Sequence, residues 1–372
     1  MSDISIFLNA MHKHGASDLC LVSGKPPLLR IMEDIIPLKY RELKDDEIRK
    51  QIYEIAPKEK LSLFEKNGET RFIWQPSEKN RYAVSMYLQY HGISAVFRDL
   101  PCEIPPPENL GIPPQIISLA QSKSGLVILS GGKRSGKSVT MNTLIAEANK
   151  TREGHIITIE DPVEFVHKNQ KCRIDQREVG VHTRSFQTGI REAMAEKPDI
   201  IMIGETDTPE TISPALEAAS DSLVITAFPR CSTRSASILD QILELFPAKE
   251  CKRMRFLLAD RLCALIHQVL LRRSDTNARC AAFDILFGVQ EIKELIRSGK
   301  TILIPGYMLE KGKEHGMKLL DDALMELYEK GHISGNDAFH HAHDKGRFRK
   351  YLAGEPADFT LDCIPDFCKK SE

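Results

Sequence analysis

The feature that most constrains this chain is the stretch Gly131-Gly-Lys-Arg-Ser-Gly136-Lys137-Ser138, which fits the pattern G-x-x-x-x-G-K-[ST]. An apolar, strand-like run at 126–130 precedes it and a helical stretch at 141–148 follows it. A strand, a glycine loop and a helix in that order form an anion cradle. The glycines let backbone N–H groups wrap a phosphate chain, and the helix N-terminus adds a favourable dipole. Lys137 is placed to reach β- and γ-phosphates, and Ser138 to offer its hydroxyl to Mg2+. Gly131, Gly132, Lys133, Arg134, Ser135, Gly136, Lys137, Ser138 and Val139 are therefore the candidate nucleotide-binding residues, with ATP and Mg2+ as the implied ligands.

The surrounding pattern predicts an α/β domain with a largely parallel sheet. Apolar runs at 126–130, 155–159, 200–204 and 223–227 read as buried strands. Stretches at 141–148, 186–194 and 256–271 read as helices, and a helical region follows over 290–350. Within it Ile292, Leu295 and Ile296 fall at core spacing. Residues 1–100 predict a small α+β domain. Ile4, Phe7, Leu8 and Met11 share a helical face, and Tyr82, Val84, Met86 and Leu88 alternate as in a half-buried strand. Between the two lies 101–114, a stiff linker. The stretch 100–114 holds six prolines, which fit neither a helix nor a central strand. The ATPase core is expected over 115–289 and a loose tail over 351–372.

Composition removes several function classes. Lys plus Arg total 51 against 52 Asp plus Glu, so no bulk positive field argues for nucleic-acid binding. The start, MSDISIFLNA, lacks the pattern of a signal peptide, and no apolar run reaches membrane-helix length, so a cytoplasmic protein is expected. Nine cysteines are scattered without a CxxC pair, the nearest two being Cys363 and Cys368, and read as buried reduced thiols rather than a zinc or disulfide framework. His340, His341 and His343 read as a surface cluster and Trp74 as core.

Two acidic elements accompany the glycine loop. Asp199-Ile-Ile-Met-Ile-Gly204-Glu205 describes a buried strand with a carboxylate at its tip, where ligands bind in such folds. Glu205 there can hold magnesium or its water shell. Ile159-Glu160-Asp161-Pro162-Val163-Glu164-Phe165 ends another apolar strand with three carboxylates. Glu160 and Glu164 can polarise a water for attack on the γ-phosphate, and a solvated acidic turn is the plainer alternative.

These three motifs occur in the order and spacing of the type II/IV secretion ATPases. The stretch from Gly15 to Arg30 resembles the amino-terminal signature of type IV pilus retraction ATPases, and Gly154 to His167 resembles their acidic box. Gln176 to Gly180, Glu291 to Arg297 and Gly316 to Leu324 match as well. Ala281 to Ile285 and Asp322 to Ser334 look most like the PilU branch, the accessory partner of the PilT motor. The resemblance implies a PAS-like N-terminal domain, a RecA-like P-loop domain and a homo-hexameric ring with ATP between the domains. It implies Lys137 and Ser138 as the Walker A pair, Glu205 as the Walker B acid and Glu164 as general base. It also implies a retraction ATPase paralogue and an inner-membrane pilus platform protein as partners at the pilus base, with membrane contact only through them.

The sequence also departs from that family. No histidine lies between His182 and His267, so the family's His box is missing from 223–232. The family's Gly-Glu-x-Arg reads Gly204-Glu205-Thr206-Asp207, an arginine is replaced at Ala195, and the Arg-x-Arg strand start reads Arg81-Tyr82-Ala83. A further arginine is lost near Tyr90 and His91, whereas Arg98 is kept. Lys133 and Arg134 replace small loop residues, and Pro214, inside 210–219, is expected to kink a helix that the family keeps continuous. Charge stabilisation carries most of phosphoryl transfer, so binding should survive better than turnover. The expectation is an accessory pilus ATPase with weakened hydrolysis. A nucleotide-binding pseudoenzyme that regulates an active partner is the first alternative. The second is a secretion or DNA-uptake assembly ATPase, although the chain shows neither the long extra N-terminal domain nor the four-cysteine zinc insert common there.

Overall fold

Runs that alternate in polarity near the N-terminus, and runs apolar throughout after residue 124, become two different sheets. A computed structural model describes residues 3–31, 34–229, 235–276 and 278–352. Cys363, Cys368 and the expected tail beyond residue 352 lie outside these residues. Two compact units are formed, Met1–Ile104 with Asp161–His167, and Pro105–Glu160 with Lys168–Glu372.

The first unit is built on six antiparallel strands: β1 (Asp18–Val22), β2 (Leu28–Ile31), β3 (Asp34–Pro37), β4 (Glu69–Ser77), β5 (Asn80–Gln89) and β6 (Gly92–Leu100), in the order β3-β2-β1-β6-β5-β4. Helix Asp3–Lys13 turns Ile4, Phe7, Leu8 and Met11 into the core, as its spacing predicts. Tyr82, Val84 and Met86 of β5 are buried beside them, while Leu88, expected to share that face, is 51% exposed. Trp74 packs at the core's edge against Tyr82 and Phe97.

The second unit carries seven strands: β7 (Gly125–Ser130), β8 (Gly154–Glu160), β9 (Cys172–Glu178), β10 (Ile200–Ile203), β11 (Leu223–Phe228), β12 (Leu262–Arg272) and β13 (Arg279–Phe287). Their order is β13-β12-β7-β11-β10-β8-β9, parallel throughout except for the β12–β13 pair. Every residue of β7, β10 and β11 is buried. Leu126 and Ile128 point into one core, Val127 and Leu129 into the other, so helices cover both faces of the sheet. Ile292, Ile296, Ile304 and Met308 from the C-terminal helices belong to the first of these cores.

One expectation is overturned. The stretch 256–271, read as a helix, is two elements: helix Ala248–Arg261 ends and β12 begins at the next residue. Leu262-Cys-Ala-Leu-Ile-His-Gln-Val-Leu-Leu-Arg272 is buried along most of its length and is rich in leucine rather than β-branched residues. A strand covered on both faces loses its alternation, and leucine pulls the local reading towards helix. Pro214 lies inside helix Pro209–Ala218, which runs through it. Cys172 is buried and Cys102 exposed, and the six described cysteines are all free.

Candidate nucleotide site

The glycine loop sits at the C-terminal end of β7, and helix Lys137–Thr151 starts immediately after it. Positive φ angles at Gly131 (147°), Arg134 (64°) and Gly136 (89°) interrupt the loop's ordinary backbone. Such interruptions turn successive N–H groups to one side and form an anion-binding concavity. A Cβ at Gly131 would come within 2.3 Å of the Gln268 carbonyl oxygen and 2.6 Å of the Ser135 Oγ. Nothing larger than glycine fits there.

The polar groups of the loop are poised for a ligand. The Lys137 Nζ donates to the carbonyls of Gly131 (2.9 Å) and Gly132 (2.8 Å), folding the ammonium back across the loop. The Ser135 hydroxyl is buried and has no hydrogen-bond partner among the described residues. A buried orphan hydroxyl and a lysine ammonium folded onto the loop's carbonyls both fit a phosphate chain. Ser138 and Val139, half-buried in the first helical turn, are anchored by Asn142 and Thr143, whose side chains donate to their carbonyls. Lys133 and Arg134 are exposed at the loop tip.

Strand order places the second motif. β11 lies between β7 and β10, and all three run parallel, so their tips share one edge of the sheet. Glu205 follows the end of β10 on that edge and is exposed. The intervening Thr206 is buried and donates its N–H to the Ala227 carbonyl, tying β10's tip to β11. Ser138 and Glu205 are the hydroxyl and carboxylate that would hold a nucleotide-bound Mg2+. Asp207, like Glu205, is exposed.

The acidic run is divided. Glu160, at the end of β8, is buried and accepts hydrogen bonds from Thr158 (2.7 Å) and Gln176 (3.2 Å). Those bonds give it a structural place rather than that of a free base. Glu164 falls in Asp161–His167, grouped with the first unit, where its carbonyl accepts from the buried Arg81 guanidinium at 2.8 Å. Arg98 also acts within that unit, donating to Asp18 at 3.0 Å.

Sequence reasoning missed two residues beside the loop, both hidden in the misread strand. His267 is buried, paired in register with Ser130, and its Nδ1 has no hydrogen-bond partner among the described residues. Burial pushes its pKa down to about 4, and the Lys137 charge acts in the same direction. Gln268, its neighbour, lies under the glycine loop. Elsewhere, His155, Asp175 and Glu196 lie close enough to share a cation, but Arg173 and Arg177 already pair with the two carboxylates. Among the described residues no helix is long and apolar enough to cross a membrane.

Comparison with known proteins places this arrangement. The profile of the Type II/IV secretion system protein family matches residues 112–294. The type IV pilus retraction ATPase PilT of Pseudomonas aeruginosa is 35% identical over 336 residues, 90% of this chain and 97% of that protein. The type IV pilus ATPase PilU of the same organism is 32% identical, over 90% of this chain and 87% of its own length. The crystal structure of the pilus retraction motor PilT with bound ADP superposes with a TM-score of 0.83 at 31% identity, covering 94% of this chain and 99% of that one. With likeness in sequence and in fold over nine-tenths of its length, the chain belongs to the type IV pilus retraction ATPases, the PilT/PilU family.

Proposed function

We propose that this chain is a PilU-like accessory subunit of a pilus retraction motor that binds ATP with Mg2+ and hydrolyses it slowly. The observation that carries the reading is the glycine loop: an orphan Ser135 hydroxyl, a back-folded Lys137 and glycines with no room for a Cβ, all at a helix N-terminus. Slow turnover is supported by what surrounds it. The Gly-Glu-x-Arg arginine is replaced by Asp207, the arginine before β10 is Ala195, and 223–229 carries no histidine. An anion at Asp207 opposes the charge that develops on the transferred phosphoryl group. Glu164 acts as general base, and Ser138 with Glu205 holds the magnesium. Arg230 and Arg234, basic groups that can rebuild the lost charge, lie outside the described residues.

Steady-state phosphate release from the purified protein tests this, with Lys137→Ala as the inactive control. Turnover is expected about tenfold or more below that of a motif-complete retraction ATPase, the factor that one lost transition-state donor removes. Asp207→Arg is expected to raise it. Equal rates for this protein and a motif-complete relative would end the weakened-hydrolysis reading. A second reading, a regulatory pseudoenzyme, is favoured by the same replacements and predicts binding with no release above the control.

The family likeness supports assembly as a homo-hexameric ring at the cytoplasmic face of the pilus base, beside a retraction ATPase paralogue and a membrane platform protein. Nucleotide shared across subunit boundaries would tighten such a ring through linkage. Light scattering at several concentrations is expected to show a larger particle with ATP than without it, and a monomer under all conditions would contradict the ring.

A further inference from the structure

We propose that Gln268 is a positioning residue for the phosphate cradle: it braces the glycine loop from beneath and keeps a neutral amide where a charge would compete with phosphate. The inference rests on reading 131–138 as that cradle.

Three observations in one residue carry it. β7 ends at Ser130, opposite His267, while β12 runs on to Arg272, so Gln268 continues past β7 and lies level with the loop. Its carbonyl oxygen occupies the space a Cβ at Gly131 would need, at 2.3 Å, and its Nε2 the space beside Gly136, at 2.8 Å. The Thr140 hydroxyl, one turn into helix Lys137–Thr151, donates to the Gln268 Oε1 at 2.8 Å, with both residues buried. One residue therefore meets all three parts of the cradle: its backbone carbonyl lies against the first glycine, and its side chain meets the last glycine and the helix that supplies the dipole. The Thr140 bond consumes the amide's acceptor and leaves the NH2 end towards Gly136. Both glycines are required at their places partly because β12 fills the room below them.

This arrangement distinguishes a brace from a filler. Glu is nearly isosteric with Gln and retains the acceptor for Thr140, so a residue that merely fills space tolerates the change. A carboxylate beside Gly136 would instead take up the N–H groups and dipole that a phosphate needs, and would repel the bound anion.

The test uses the full-length protein and a fluorescent ATP analogue, with Gln268→Glu, Gln268→Met and Lys137→Ala beside wild type. Gln268→Glu, which buries a carboxylate, is expected to fold but to melt below wild type without nucleotide, and to bind the analogue about tenfold or more weakly. Gln268→Met, which loses the Thr140 bond without adding charge, is expected to lose about threefold. Wild-type affinity in Gln268→Glu, with affinity lost in Lys137→Ala, would overturn the positioning role alone. Unchanged affinity in Lys137→Ala would instead overturn the cradle. Should Gln268→Glu fail to fold, Gln268→Met decides, and wild-type affinity there overturns the proposal.

Discussion

Each unit buries an aspartate in its sheet, and the two are treated differently. In the first unit Asp18, with 2% of its side chain exposed, is clasped by Arg98 at 3.0 Å and Arg30 at 3.7 Å and accepts from the Ser17 hydroxyl at 2.8 Å. In the second unit Asp284 is buried in β13, directly opposite His267, and its carboxylate accepts from the Ser235 hydroxyl at 2.9 Å. No arginine or lysine pairs with it among the described residues. Charge is neutralised by partners in one place and by proton uptake in the other: burial pushes the Asp284 pKa up to about 7. The first sheet is thus cross-braced by ion pairs at its surface. The second keeps titratable groups inside its sheet, His267 in β12 next to the strand that carries the glycine loop and Asp284 in the edge strand β13.

The largest expected effect follows from Asp284. An unfolded aspartate titrates at 3.8, and this one at about 7 when folded. Below the lower value both states hold the proton. Between the two only the folded chain does, so stability contributed by this group falls as pH rises, and the loss is complete above about 7. Asp284→Asn keeps an acceptor for Ser235 and removes the titration. At about pH 8 the variant is expected to be more stable than wild type by something on the order of 3 kcal/mol, and near pH 4 the two should converge. His267 contributes with the opposite sign, since its stability is present above 6.5 and is lost as pH falls through about 4. It is common to both proteins and cancels in their difference. Melting curves across this range check the point, and a constant offset would show that Asp284 does not titrate in the fold.

How much of this was legible in the sequence depends on where the partners lie. The strand, loop and helix around Lys137 could be read because glycine spacing and a flanking apolar run are local signals. The buried strands β7, β8, β10 and β11 were legible for the same reason. β12 was not, because a leucine-rich strand covered on both faces carries no alternation. Length gave no warning either, since the stretch read as a helix, 256–271, falls within the roughly 8–20 residues usual for globular helices. Gln268 vanished with it, since its significance comes from Thr140, 128 residues away in the chain. Glu160 and Glu164 looked equivalent in a row of acids. Only tertiary structure separates the one held by Thr158 and Gln176 from the one beside Arg81. Arg98, kept from the family pattern, has a partner at Asp18 in β1, paired directly opposite it in the sheet.

The smaller effect belongs to the first unit and sharpens the contrast. Trp74 is the chain's one tryptophan and packs against Tyr82 and Phe97 there, so its fluorescence reports that unit's unfolding. Asp18→Ala removes the carboxylate that two arginines and Ser17 share. The arginines are 54% and 25% exposed and can return to water, so the cost is well below that of stranding a buried cation. A loss of about 1–2 kcal/mol is expected, lowering the Trp74 transition by several degrees. Because Asp18→Asn removes the charge that Arg98 and Arg30 clasp, it should also destabilise at about pH 8, whereas Asp284→Asn stabilises there. Two buried aspartates answering the same substitution with opposite signs would establish that the units neutralise charge differently. If Asp18→Asn left the Trp74 transition unmoved, the clasp would be a surface decoration, and the first sheet would owe its stability to its apolar face alone.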